Sequence, residues 1–114
     1  MKLLILVLNK TECLDDILAA FGENKLHGAT ILDSKGMAHE LNVDHFNELS
    51  FMLSLRMVLN PERKDSKTVF MVIKEDEVAL VSDIVNRITG GLESPDTGIL
   101  FTVPVDHLEG FKMK

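Results

Sequence analysis

Gly98-Ile99-Leu100-Phe101-Thr102-Val103-Pro104-Val105 is the stretch that decides the fold: its residue types demand a strand, and its pattern leaves neither side of that strand for water. β-Branched and aromatic side chains favour extended backbone, and a proline near the end cannot donate a ladder hydrogen bond, so the run belongs at a sheet edge. Its apolar residues fall at odd and even positions alike, which in a strand means both faces. Two further runs share that property, Leu3-Leu4-Ile5-Leu6-Val7-Leu8 and Val69-Phe70-Met71-Val72-Ile73. Neither contains Pro or Gly, as central strands require.

Composition bounds what such strands can belong to. At 114 residues and 12.7 kDa the chain reads as one domain, able to bury roughly two-thirds of its unfolded surface without staples. It is 46% apolar and 26% charged, the mix of an ordinary globule. A net charge of -6 and a pI near 5.1 give no long-range attraction toward phosphate backbones or anionic lipid, so nucleic acid is not an expected partner. The lone Cys13 has no intrachain partner. The apolar start Leu3 to Leu8 is too short for a signal-peptide core or a membrane span, and the expected location is the cytoplasm, without membrane insertion.

Taken from the start, Lys2 to Leu8 is the first strand. Thr11 or Asn9 is placed to cap a helix whose first turn carries Glu12, Asp15 and Asp16, acids suited to its positive end. Leu14, Ile17, Leu18 and Phe21 form one apolar stripe, and Gly22 with Asn24 supplies a stop. Ala29 to Ser34 reads as a more polar edge strand. Thr68 to Lys74 is the third strand, and Val78, Val81, Ile84, Val85 and Ile88 line the second helix, with Asp76 as its cap and Gly90-Gly91 as its end. A turn-rich loop, Leu92 to Thr97, leads into the closing strand. The order is βαββαβ. Right-handed crossovers place both helices on one face of a four-stranded antiparallel sheet, the α+β, ferredoxin-like arrangement.

About thirty residues, 36–67, separate the second and third strands, far more than a hairpin needs. Within them Phe46, Leu49, Phe51, Met52, Leu53, Leu55, Met57, Val58 and Leu59 suit a short helix begun at Asp44 or a strand pair, their period being ambiguous; the helix is the preferred reading, mostly core in character. Two helices cover one sheet face, yet the first, third and fourth strands are apolar on both. Other copies of the chain are expected to cover the second face; the alternative is that 44–59 folds back over it.

An acidic βαββαβ chain of this length, with a long excursion after its second strand and a closing Gly-x-x-Phe-x-x-Pro-Val, resembles the PII nitrogen-regulatory signalling family, in a divergent branch. The residues that carry the likeness are the opening strand, Gly28-x-Thr30, Lys35-Gly36-Met37 where that family's mobile loop departs, and Gly98-Ile99-Leu100-Phe101 with Pro104-Val105-Asp106. The resemblance implies a homotrimer whose sheets face the three-fold axis. It also implies an effector, typically an adenine nucleotide, bound in clefts between subunits, and a loop that docks on a transporter, enzyme or transcription regulator in nitrogen or carbon metabolism. Such a protein signals by shape and is not an enzyme. Carried over by position, the ligand-binding residues are Thr30, Gly36, Met37, Ala38, Glu40, Gly98 and Lys112. Where that family has a glycine-lysine pair before the last strand, this chain has Gly98-Ile99 preceded by Glu93 and Asp96, carboxylates that repel a polyphosphate. Gly110 and Lys112 stand in place of two arginines. These departures point to a nucleoside monophosphate, another small metabolite, or no nucleotide. With no tyrosine in the chain, uridylylation of a loop tyrosine is excluded.

Two alternatives use other residues. Four histidines, His27, His39, His45 and His107, invite comparison with the trimeric CutA family, linked to divalent ions, and His39-Glu40 with Asp44-His45 is the pairing that would chelate. No i, i+4 histidine pair exists, so no metal ligand is assigned. A small ferredoxin-like enzyme would need Asp33, His39 and His107 to converge. Cys13 sits at a helix start, where a thiolate is favoured, but a half-buried inert thiol is the simpler expectation.

Overall fold

The computed structural model describes residues 1–37 and 65–111. In chain order these form β1 (Lys2–Leu8), α1 (Leu14–Glu23), β2 (Thr30–Lys35), β3 (Asp65–Ile73), α2 (Val78–Thr89) and β4 (Gly98–Pro104). The strands make one sheet in the order β2-β3-β1-β4, every neighbouring pair antiparallel. This is the expected ferredoxin-like order: the two Pro-free, Gly-free runs are central and the proline-bearing run is an edge.

Strand periodicity sorts the two faces. Leu4, Leu6 and Leu8 of β1 and Val69, Met71 and Ile73 of β3 are buried beneath the helices. From α1 come Ile17, Ala20 and Phe21, and from α2 come Val81, Ile84 and Val85. Each large aliphatic side chain so buried contributes about 1.5–3 kcal/mol. Leu14, Leu18, Val78 and Ile88, on the flanks of the two predicted stripes, pack against this core only in part.

Several local expectations are corrected. Neither Thr11 nor Asn9 caps α1 through its side chain; a 3-10 turn, Thr11–Cys13, leads into the helix, with the Thr11 N–H donating to the Asn9 carbonyl at 2.9 Å. Asp76 does not cap α2: the Glu77 carboxylate instead accepts the Lys74 backbone N–H at 2.9 Å. The stop of α1 is a Schellman motif, in which the Leu26 N–H donates to Phe21 O (2.8 Å) and the Lys25 N–H to Gly22 O (3.1 Å). Asn24, part of the expected stop, is the C-cap residue, and its side-chain amide donates to Ala20 O at 2.8 Å; the left-handed residue that follows it is Lys25, at φ 60°.

β3 begins at Asp65, three residues before the expected start, because cross-strand partners hold its polar end. Ser66 Oγ lies 2.7 Å from Ser34 Oγ, the Thr68 hydroxyl donates to Ser34 Oγ at 2.9 Å, and Lys67 pairs with Asp33. β2 runs one residue later than expected, from Thr30 to Lys35. The helix expected over 44–59, and the fold-back that would use it, lie outside the described residues.

Candidate functional site

The second sheet face is built by the alternate positions. Register places Leu3, Ile5 and Val7 of β1, Ser66, Thr68, Phe70 and Val72 of β3, Thr30, Leu32 and Ser34 of β2, and Ile99, Phe101 and Val103 of β4 on it. Neither helix covers this side, and Leu32, Ile99, Phe101 and Val103 are exposed. None of these thirteen positions carries a charge, in a chain that is 26% charged. One row crosses all four strands, Thr30, Phe70, Ile5 and Phe101, so Thr30 belongs to this face.

The sheet does not gather the expected ligand residues within one chain. Thr30 opens β2, Gly36 and Met37 follow its end, and Gly98 opens β4. β2 and β4 are opposite edges with two strands between them, about 14 Å apart at ordinary strand spacing. Six residues of strand separate Thr30 from Gly36, about 20 Å. Gly36, Met37 and Gly98 share one end of the sheet, since Lys35 is level with Asp65 and Gly98 with Leu8 and Lys67. Ala38, Glu40 and Lys112 lie outside the described residues.

Gly98 has a reason of its own to be glycine. Its φ is 152°, and a Cβ there would stand 2.6 Å from the Val7 carbonyl oxygen and 3.3 Å from Leu8 Cα. The close approach of β4 to β1 requires the missing side chain, whatever else the residue does.

The loop before β4 is tied inward. Thr97, buried, accepts the Asn9 and Lys10 N–H groups on its carbonyl at 3.0 and 3.1 Å. The Leu92 N–H donates to Asn86 Oδ1 (2.8 Å) and the Ser94 N–H to Gly91 O (3.1 Å), so these two amides serve the loop's own shape. Lys10 Nζ donates to Thr89 O at 2.9 Å, placing a cation on the C-terminal end of α2.

No family model matches the chain, and no curated protein matches it either.

A cleft of ≈580 Å³ lies at the opposite end of the sheet, where β3 runs into α2. Buried Leu26, Met71 and Ile73 line its interior, and exposed Lys25, His27 and Lys74 stand with Gly110 and Phe111 around it. Sequence reasoning missed this cleft. Its residues come from the α1–β2 turn, the β3–α2 junction and the C-terminal segment, and no local spacing links them. The one signal was a lysine where a helix stop prefers glycine or asparagine.

Among the described residues, no three His, Cys, Asp or Glu side chains come together to hold a metal ion. Asp33 sits on the β2 edge paired with Lys67, whereas His107 follows the β4 edge, 3.7 Å from Glu109, so the chain does not join them; His39 and His45 lie outside the described residues. Cys13 is buried, with Sγ 3.8 Å from Ile88 O, as an inert packing thiol would be. No helix among the described residues is long and apolar enough to cross a membrane.

Proposed function

We propose that the chain is a PII-like regulatory protein: a cytoplasmic homotrimer that binds a small effector in clefts between subunits and acts, without catalysis of its own, on a partner protein of nitrogen or carbon metabolism. The observation that carries this reading is the charge-free sheet face. An uncharged surface with nine of its thirteen positions apolar is unfavourable in water on one copy and favourable when identical copies close over it. The placement of Gly36, Met37 and Gly98 on opposite edges supports the same reading, because edges far apart in one subunit become neighbours when sheets pack around an axis.

Effector chemistry follows from the loop before β4. Glu93 and Asp96 disfavour a triphosphate, and the inward-turned amides of Leu92 and Ser94 offer it no cradle. The ligand is a nucleoside monophosphate or another small metabolite of low charge. Light scattering on the purified chain tests the assembly: the expected mass is three times the 12.7 kDa of one chain, and a monomer at tens of micromolar overturns the proposal. A thermal-shift screen over adenine nucleotides, 2-oxoglutarate, bicarbonate and divalent metals tests the effector, since a ligand that binds only the folded protein raises its stability as RT ln(1 + [L]/Kd). Stabilisation by zinc or copper alone would favour the CutA-like reading instead.

A further inference from the structure

The cleft at the β3–α2 end inverts the charge balance of the chain around it. The protein carries 18 acidic and 12 basic residues, yet the charged side chains lining the cleft are Lys25, Lys74 and a single acid, Glu77, with the imidazole of His27 beside them. Glu77 is already engaged, its carboxylate accepting the Lys74 backbone N–H. The interior is apolar, and Phe111, a large aromatic side chain with 41% exposure, stands at the wall. The volume of ≈580 Å³ falls within the range of small-molecule sites.

Lys25 adds an independent observation. A left-handed backbone is unfavourable for a residue that carries a side chain, which is why helix stops favour glycine or asparagine. Here the position holds a lysine at φ 60°, on the rim of the cleft. A residue kept in an unfavourable conformation beside a cavity points to the side chain being used.

We propose that this cleft binds a small organic anion built of one carboxylate or phosphate head and one flat ring. Lys25, Lys74 and His27 face the head, while the ring lies against Phe111 and the apolar interior. Inorganic phosphate alone would leave the apolar interior wet, and a neutral arene would leave the ammonium groups without a counter-ion; the combination satisfies both. Two ammonium groups suit a mono- or dianion. The cleft lies at the end of the sheet away from Gly36, Met37 and Gly98.

Isothermal titration of the full chain with phenyl phosphate, benzoate, inorganic phosphate and benzyl alcohol tests this. One phenyl phosphate or benzoate is expected to bind per chain, at least tenfold more tightly than inorganic phosphate or benzyl alcohol, and the tighter of the two names the head group. The double variant K25A/K74A should weaken that binding at least tenfold. Phe111→Ala should weaken the ring-bearing ligand while leaving inorganic phosphate unchanged, and it keeps the test open if K25A/K74A does not fold. Lys67→Ala, which removes a cation outside the cleft, should bind as the parent does. The proposal is overturned if neither ring-bearing anion binds more tightly than on the order of 1 mM. Equal binding by K25A/K74A, or inorganic phosphate binding as tightly as phenyl phosphate, overturns it too.

Discussion

Replacing Gly98 with alanine separates what this residue does for the fold from what it does for a ligand. A Cβ at that position lies 2.6 Å from the Val7 carbonyl oxygen, about 0.7 Å short of the ~3.3 Å at which carbon and carbonyl oxygen ordinarily meet between strands. The opposing atom is backbone, so relief requires β4 to move away from β1 at the Leu8–Gly98 pair. Forcing extra volume into such a contact costs about 1–3 kcal/mol. A non-glycine residue held at this φ adds about 1–3 kcal/mol more. Alanine lowers the entropy of the unfolded chain and returns about 0.4–1 kcal/mol. The net expectation is a loss of about 1–6 kcal/mol, a large share of the 5–15 kcal/mol typical of a folded domain. In urea this moves the midpoint down by about 0.5–3 M at a slope near 2 kcal/mol per M. The measurement compares parent, Gly98→Ala and Gly36→Ala by circular dichroism at the same protein concentration, with the mass of each checked by light scattering so that a change in assembly is seen separately. Gly36 has open space around a built Cβ and no left-handed φ, so its alanine variant should unfold within about 0.5 kcal/mol of the parent or slightly above it. A Gly98→Ala protein as stable as the parent, or a Gly36→Ala protein that loses as much, refutes the steric argument. A stable Gly98→Ala protein that lost effector binding would return the residue to a purely ligand role.

Four further outcomes are expected. Phe101→Glu puts a charge on the β4 side of the charge-free face, and light scattering should record a lower mass than the proposed trimer of the parent with secondary structure retained; an unaltered mass would mean that this face is not the interface. Ile17→Ala removes a fully buried side chain between α1 and the sheet and should cost about 2–4 kcal/mol in a denaturant titration. Thr89→Val deletes a buried hydroxyl that donates to Val85 O at 2.7 Å and receives the Gly91 N–H at 3.3 Å; a loss of about 1–2 kcal/mol is expected, and a neutral result would show that the Gly91 amide finds another acceptor. The Cys13 thiol should react with a thiol-specific chromogenic reagent only at the rate of unfolding, and immediate stoichiometric reaction of the native protein would contradict its burial.

The elements themselves were legible for a plain reason. β1 occupies the residues expected of it, and α1 and α2 bury Ile17, Phe21, Val81, Ile84 and Val85 from the stripes that periodicity marked. Apolar periodicity is a property of neighbouring residues, so it can be read along the chain. The sheet order followed from the same kind of evidence, since Pro104 at the end of one run and the clean apolar content of two others rank edge against centre.

Helix ends were less legible. Thr11, Asn9 and Asp76 are all good capping residues by type, yet the helix starts use backbone carbonyls and the Glu77 carboxylate; Asn24 does cap the end of α1, with Lys25 taking the left-handed position after it. Several local hydrogen-bond patterns compete at a helix end within about 1 kcal/mol of one another, and the packing of the helix selects among them.

Residue order alone was enough to specify the helices, the strands, their arrangement in the sheet and the greasy character of its second face, because each of these rests on pattern over short distances. Three-dimensional contact was needed for the rest: that Gly98 is glycine because Val7 stands against it, that polar Ser66 and Lys67 continue a strand because Ser34 and Asp33 lie opposite, and that Lys25, Lys74 and Phe111 border one cleft. Those pairings join residues from 32 to 91 positions apart, and only the register of the strands and the path of the C-terminal segment bring them within reach.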